Sequence, residues 1–233
     1  MNSEDTKPID QFNLDGIKEG ATILIAGKRG SGKSCLIRHI IKSKDWSDAT
    51  TVISPSCRLN PFHDTYVPRV HHFIPANLME DLKTNTDQHK VIVFDDCIMS
   101  TQTRNELFNT RQSNTTLIIA QQGPQILSSE IRRAFDYVFA FNDGSGISAR
   151  CLMEHYVKGF YSMVSFRKAF DQATAGNKAL VVDVRMRDRN VFWFDFVDED
   201  CNRNSVVEYE AACESDTITT PEADTTSSSC TLL

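Results

Sequence analysis

A glycine-rich segment near the start of the chain is the sequence feature that most restricts the fold. Residues 27–34 read Gly-Lys-Arg-Gly-Ser-Gly-Lys-Ser, after an apolar run at 21–26 and before a helical pattern at 35–41. This is the G-x-x-x-x-G-K-[ST] pattern in its strand–loop–helix setting. Glycines allow backbone N–H groups to turn towards phosphate oxygens, and the positive end of the following helix dipole adds to the attraction. The sequence therefore predicts a phosphate-binding loop in an α/β domain.

The loop pattern also assigns roles to its residues. Lys33 is expected to reach the β- and γ-phosphates of a nucleotide, and Ser34 is expected to bind Mg²⁺ through its hydroxyl. The predicted nucleotide-binding residues are Gly27, Lys28, Arg29, Gly30, Ser31, Gly32, Lys33, Ser34 and Cys35.

A second motif supplies two carboxylates. An apolar run at 91–94 ends in Asp95 and Asp96. Asp95 is expected to hold Mg²⁺ through its water shell, and Asp96 to polarise the attacking water. The predicted metal ligands are thus Ser34 and Asp95, and the acid pair favours hydrolysis of the nucleotide over simple binding.

Apolar runs alternate with helical patterns along the chain. Strands are predicted at 21–26, 51–54, 70–74, 90–96, 115–120 and 137–141, helices at 77–83, 100–111, 128–134, 147–157 and 162–172, and a closing hairpin at 179–183 and 191–196. Continuous apolar strands of this kind are typical of a parallel sheet covered by helices on both faces. We predict a polar leader at 1–19, an α/β domain at 20–200, and an acidic, Ser/Thr-rich, disordered tail at 201–233.

The charge distribution leaves a nucleic-acid partner possible. The net charge is −6, but ten of the 31 acidic residues and one of the 25 basic residues lie from Asp195 onward, so the preceding body carries about +3. Seven scattered cysteines without a C-x-x-C pair favour a reducing, intracellular setting. No apolar run reaches the length of a membrane span, and the acidic, polar first residues do not resemble a secretory signal.

Two further residues are candidates for the chemistry. Gln122 follows the predicted strand at 115–120, at the end where ligands bind in open α/β sheets, and its amide is placed to sense the γ-phosphate or orient the water. Arg111 ends a predicted helix and suits an arginine finger offered to the nucleotide of a neighbouring subunit. A polar turn and a solvated arginine are the alternative interpretations.

Local residues argue against a GTPase and leave three functions open. No D-x-x-G follows the strand of the acid pair, and the Asn177-Lys178 dipeptide is followed by Ala179-Leu180 without the aspartate that reads guanine. ATP is therefore the expected nucleotide. The chain is a hydrolase, a nucleotide or small-molecule kinase, or a nucleotide-gated assembly protein with negligible turnover.

Several of these motifs together resemble a known group of motors. The segments 27–34, 91–96, 111–124 and 131–141 resemble the FtsK–HerA superfamily of DNA-pumping ATPases, and within it the poxvirus-type packaging ATPases of large DNA viruses, over residues 20–200. The resemblance implies a P-loop NTPase with an additional-strand, mainly parallel sheet. It implies a homo-oligomeric ring, pentameric or hexameric, that hydrolyses ATP with Mg²⁺ between subunits and acts on double-stranded DNA.

The resemblance also implies partners, a location and residue roles. Capsid or portal-vertex proteins are the further partners, and the location is the viral assembly site in the host cytoplasm or the virion. Lys33, Asp95 and Asp96 are the catalytic residues, Gln122 is the sensor and Arg111 the finger. Bacterial members usually have Asp-Glu where this chain has two aspartates, which leaves the identity of the catalytic base open.

The remaining candidates are basic and imidazole side chains. Arg185, Arg187 and Arg189 alternate, so on an extended segment they would share one face and could contact DNA phosphates; a solvated hairpin tip is the alternative. His71 and His72 have no acid or cysteine at ligand spacing and are interpreted as structural.

Overall fold

The structure is a computed structural model of the 233-residue chain. It describes residues 9–58, 61–84, 88–111, 113–124, 127–176, 178–188 and 190–196. The predicted tail at 201–233, the first eight residues of the predicted leader and Arg189 lie outside the described residues.

The described residues form nine strands and six α-helices. The strands are β1 (Asp10–Gln11), β2 (Thr22–Ala26), β3 (Thr50–Ile53), β4 (Arg69–His71), β5 (Lys90–Asp95), β6 (Thr115–Gln121), β7 (Tyr137–Ala140), β8 (Lys178–Asp183) and β9 (Val191–Asp195). The helices are α1 (Lys33–Ser43), α2 (Leu78–Lys83), α3 (Thr101–Thr110), α4 (Ser129–Arg132), α5 (Gly146–His155) and α6 (Met163–Ala173).

All nine strands belong to one sheet, in the order β1-β9-β8-β7-β2-β6-β5-β3-β4. Only the pairings of β8 with β7 and with β9 are antiparallel among those described, so the predicted closing hairpin is confirmed. The strand β6 lies between β2 and β5 and pairs in parallel with both. The predicted α/β fold with an additional strand is therefore confirmed. We call the side where β2, β5 and β6 end the carboxyl edge, and the side where they begin the amino edge.

The core has two apolar layers, one on each face of the sheet. Successive side chains of a strand point to opposite faces. Accordingly, Ile23 and Ile25 of β2 pack in the layer that includes Leu36 and Ile40 of α1, whereas Leu24 packs in the layer that α3, α5 and α6 cover. The strand before the phosphate loop is thus buried on both sides, which fixes the position of the loop at the carboxyl edge.

Residues 9–19, which we predicted to lie in a polar leader, belong to the packed domain. The strand β1 pairs in parallel with β9, and Phe12 contacts Tyr137 edge-on with ring centroids 5.7 Å apart. Leu14 and Ile17 are also buried. The prediction was wrong here because a few apolar side chains in a polar stretch are enough to cover the edge of a large sheet.

No helix among the described residues is both long enough and apolar enough to cross a membrane.

Candidate nucleotide-binding site

The phosphate loop connects the end of β2 to the first turn of α1. Gly30 and Gly32 have φ angles of 76° and 93°, in the left-handed region that glycine adopts without strain. A Cβ on Gly27 would lie 2.4 Å from the Ser31 hydroxyl oxygen and 2.9 Å from Cβ of Phe141, so this position has no room for a side chain. The helix begins at Lys33 without a hydrogen bond from a capping side chain. The first N–H groups of a helix lack partners within the helix and commonly bind anions, which is the role predicted for residues 27–35.

Lys33 lies folded against the loop that precedes it. Its side chain is buried, and Nζ donates to the carbonyl oxygens of Gly27, at 3.1 Å, and Lys28, at 3.3 Å. The same ammonium lies 3.5 Å from Oδ2 of Asp96. The loop carbonyls and Asp96 thus hold the Lys33 ammonium where phosphate oxygens are predicted to bind.

Ser34 and Asp95, the predicted metal ligands, are in direct contact. The Ser34 hydroxyl donates to Oδ2 of Asp95 at 2.6 Å, and His63 Nε2 lies 2.9 Å from the same oxygen. Burial, the largest influence, acts to raise the pKa of Asp95, but the hydrogen bonds from His63 and Ser34 and the charge of Lys33 outweigh it, so the pKa is lowered. The carboxylate is therefore ionised at neutral pH although it is almost fully buried.

These two residues also fit the Mg²⁺ that the fold family implies. Oδ1 of Asp95 is buried and has no hydrogen-bond partner among the described residues, which is costly for a carboxylate oxygen unless a ligand satisfies it. Mg²⁺ prefers oxygen ligands, is held by few carboxylates and keeps several waters. A hydroxyl and a carboxylate oxygen beside the loop provide that donor set.

Asp96 has an unusual backbone conformation for a residue with a side chain. Its φ is 52°, in the left-handed region, and its N–H donates to the Ala120 carbonyl at 3.1 Å. Such conformations cost free energy and cluster at functional sites. The turn directs the partly exposed carboxylate towards Lys33, 37% of the Asp96 side chain remaining accessible. Water can therefore reach the group that we predicted to polarise it.

Gln122 lies at the carboxyl edge beside the loop. It is exposed and follows the last residue of β6, whose carbonyl accepts a hydrogen bond from Gly27 N at 3.1 Å. The structure thus brings it to the side of the sheet that carries the phosphate loop and both aspartates. Its role as a sensor stays a prediction.

Arg111 lies at the amino edge, on the opposite side of the sheet. Its Nη1 donates to the carbonyl oxygens of Gly20, at 2.9 Å, and Thr115, at 3.3 Å, at the starts of β2 and β6. Burial lowers the pKa of Arg111, and the charge of Asp136 opposes that change. A seven-residue strand separates the two edges by about 20 Å, so Arg111 could act only on the nucleotide of a neighbouring subunit. The role of Arg111 as an arginine finger stays a prediction. Its hydrogen bonds to the two carbonyls show that it also has a structural role.

The predicted row of arginines does not form as expected. The strand β8 ends at Asp183, and residues 184–188 form a turn, so side chains that alternate in sequence do not alternate on one extended face. Arg185 and Arg187 are both exposed, but Arg185 binds Asp183 through Nη2 at 2.8 Å and packs over the ring of Tyr137. The extended segment that the row assumed is not formed at residues 184–188, and both described arginines lie at the surface of this turn.

Sequence reasoning missed His63 and Tyr66. Both lie between β3 and β4, and His63 Nδ1 is 2.6 Å from the Tyr66 hydroxyl oxygen. The surrounding segment carries prolines but no regular apolar pattern, so no periodicity indicated that a histidine there is buried against Asp95. Among the described residues no cluster of three or more His, Cys, Asp and Glu side chains could hold a metal, and the structural interpretation of His71 and His72 stays a prediction.

Comparison with known sequences identifies relatives in large DNA viruses. No family model matches the chain. Uncharacterized protein L437 of Acanthamoeba polyphaga mimivirus is 25% identical over 215 residues, which cover 79% of this chain and 75% of that protein. Uncharacterized protein 075L of Invertebrate iridescent virus 6 is 26% identical over 206 residues, covering 81% and 78%. Uncharacterized protein 015R of Frog virus 3 is 29% identical over 164 residues, and the chain spans about half of its length.

Comparison with solved structures identifies the fold. B204, the DNA-packaging ATPase from Sulfolobus Turreted Icosahedral Virus, matches with a TM-score of 0.58 at 14% identity, covering 78% of this chain and all of that one. The genome packaging NTPase B204 from Sulfolobus turreted icosahedral virus 2, in complex with ATP-gammaS, matches with a TM-score of 0.53 and the same identity and coverage. The pCW3 conjugation coupling protein TcpA with ATPgS gives 0.54, covering 86% of this chain and 68% of that one. The chain has the fold of these ATPases, which confirms the resemblance at the level of fold.

Proposed function

We propose that the chain is a viral genome-packaging ATPase, an oligomeric motor that couples ATP hydrolysis to the translocation of double-stranded DNA into a capsid. The observation that carries the proposal is the meeting of Lys33, Ser34, Asp95 and Asp96 at one edge of an additional-strand sheet. The fold shared with a DNA-packaging ATPase supports the choice of substrate and of partner.

The residues divide the work between binding and hydrolysis. The loop at 27–32 and the start of α1 would bind the phosphates, and Lys33 would exchange its loop carbonyls for phosphate oxygens. Ser34 and Asp95 would hold Mg²⁺, which when bound neutralises charge on the β- and γ-phosphates. Asp96 would take up the proton of the attacking water, and Gln122 would orient that water or sense the γ-phosphate.

The proposal extends to neighbouring subunits and to DNA. Arg111 would serve as a finger across a subunit boundary of a pentameric or hexameric ring. Arg185, Arg187 and Arg189 are the candidates for phosphate contacts. Arg185 and Arg187 are both exposed, and Arg185 is already paired with Asp183. Capsid or portal-vertex proteins would be the further partners, at the viral assembly site in the host cytoplasm or in the virion.

DNA-stimulated ATP hydrolysis tests the proposal. We expect the purified protein to release free phosphate from ATP, faster with double-stranded DNA, and Lys33→Ala to abolish the release. Lys168→Ala is the matched control, since Lys168 is an exposed lysine of α6 outside the loop. Hydrolysis that is indifferent to DNA at every salt concentration would contradict the translocase function.

Product analysis separates the two alternatives. A kinase would transfer phosphate to an acceptor instead of releasing it to water. A nucleotide-gated assembly protein would bind ATP tightly and hydrolyse none, with DNA and capsid partners present. The partly exposed Asp96 carboxylate favours hydrolysis, because a kinase does not need a group that polarises water.

A further inference from the structure

His63 is a buried histidine in contact with the carboxylate that we propose to hold Mg²⁺. It lies in a short 3₁₀ turn (His63–Thr65) between β3 and β4, and only 3% of it is accessible. Its Nε2 is 2.9 Å from Oδ2 of Asp95. An ionised carboxylate can only accept hydrogen bonds, so Nε2 carries the proton and donates. Nδ1, on the other side of the ring, lies 2.6 Å from the Tyr66 hydroxyl oxygen.

The imidazole is held in place from several sides. Phe62 contacts it edge-on with ring centroids 5.5 Å apart, and the guanidinium of Arg38 lies 4.3 Å from the centre of the Phe62 ring. Arg38 belongs to α1, the helix whose first turn carries Lys33 and Ser34. The turn that bears His63 is thus packed against the helix that follows the phosphate loop. This packing holds the imidazole in position to donate to Asp95.

The two oxygens of Asp95 are in different environments. Oδ2 accepts from both Ser34 and His63, whereas Oδ1 is buried without a partner among the described residues. If the Ser34 hydroxyl turns to Mg²⁺, His63 becomes the donor that keeps the carboxylate from rotating about its terminal torsion, which has a broad energy well. Oδ1 would then stay directed to the metal and its waters.

We propose that His63 is a positioning residue that fixes the orientation of the Asp95 carboxylate for Mg²⁺. The inference rests on the proposed function, because it assumes that a Mg²⁺–nucleotide complex binds at this site. Outer-shell partners of metal ligands commonly change metal affinity by about 10–100-fold when they are replaced. In this role His63 acts on the metal through Asp95.

The test measures nucleotide affinity with and without the metal. The full-length protein is titrated with AMPPCP in the calorimeter, once with Mg²⁺ and once with EDTA, and the ratio of the two dissociation constants gives the Mg²⁺ enhancement. We expect His63→Leu to reduce that enhancement by about 10–100-fold and to leave the affinity in EDTA within about twofold of wild type. His63→Gln, whose amide nitrogen can reach the place of Nε2, should restore most of the enhancement.

Each result has a distinct meaning. A folded His63→Leu protein with the full Mg²⁺ enhancement, or with equal losses in Mg²⁺ and EDTA, would overturn the positioning role and leave the proposed function intact. A wild-type protein without Mg²⁺-dependent binding would overturn the proposed function and this inference with it. Should His63→Leu fail to fold, His63→Asn takes its place with the same expectation, since its shorter amide can still meet Tyr66 but falls short of Asp95.

Discussion

Replacing Asp96 with asparagine removes one charge from the site and changes little else in the local backbone. Asp96 has a φ of 52°, and asparagine is one of the few residues that adopt this left-handed conformation readily. The chain also provides a matched control. Asp45 has a φ of 54° and is exposed at the end of α1, so Asp45→Asn makes the same chemical change in the same backbone conformation outside the site.

The effect on stability is expected to be small and the effect on turnover large. At 3.5 Å the attraction between Lys33 and Asp96 would be about 5 kcal/mol for an effective dielectric constant of about 20. However, 37% of the Asp96 side chain is accessible, and ion pairs open to water contribute about 0.2–1 kcal/mol to measured stability. The melting temperature should therefore fall by no more than about 4 °C. Loss of a general base should lower kcat by about 10²–10⁴-fold.

Three measurements on both variants decide the matter: the melting temperature, the affinity for ATP with Mg²⁺, and the rate of phosphate release. Asp96→Asn should bind ATP, melt within a few degrees of wild type and fail to hydrolyse, while Asp45→Asn should match wild type in all three. Turnover by Asp96→Asn within about threefold of wild type would refute its role as the base. A loss of more than about 10 °C would refute the estimate of the ion pair.

Three other results are expected. Arg111→Ala removes the donor to the Gly20 carbonyl, so the melting temperature should fall by about 3–8 °C. Hydrolysis should return when Arg111→Ala subunits are mixed with Asp96→Asn subunits. Mixed rings without activity would leave Arg111 only its structural role. Gly20→Ala places a Cβ 1.7 Å from a carbonyl oxygen and should lower the free energy of unfolding, measured by chemical denaturation, by about 2–5 kcal/mol. Gly176 has a similar φ but open space around it, so Gly176→Ala should lower that free energy by about 1 kcal/mol. Equal losses in the two variants would show that the clash at Gly20 relaxes. Burial raises the pKa of Tyr137 to about 12, so the neutral phenol stabilises the fold fully below pH 10 and progressively less towards pH 12. The ultraviolet titration of wild type minus that of Tyr137→Phe should show a step near 12, and a step near 10 in that difference would contradict the prediction.

The central strands could be predicted from local sequence because they are buried on both sides. Parallel strands of this kind read as continuous apolar runs, so the predicted strand at 90–96 and the observed β5 (Lys90–Asp95) differ by one residue. The phosphate loop is equally local, since its glycines and Lys33 act within eight residues. The position of Asp95 beside the loop could also be predicted, because the carboxyl ends of parallel strands meet at one edge.

The features that sequence reasoning missed depend on contacts between distant residues. His63 meets Asp95 across 32 positions, and Arg111 meets the Gly20 carbonyl across 91, so no local pattern announces either contact. The strand β1 has two residues, too few for an alternation to be recognised. In each case the assembled sheet brings the two partners together, and the sheet forms only when all its strands are present.

The position of β2 at the centre of the sheet has a consequence for biosynthesis. Its two neighbours are β6 and β7, and Gly27 of the loop binds the Gln121 carbonyl, so the strand has no lateral partner until residues 115–140 have been made. At about 5–20 residues per second, a ribosome needs on the order of 10 s to travel from the end of β2 to the end of β7. During that interval the apolar face of α1 has no sheet to cover it and is a target for chaperones. The predicted phosphate-binding loop is therefore translated early and acquires its shape late.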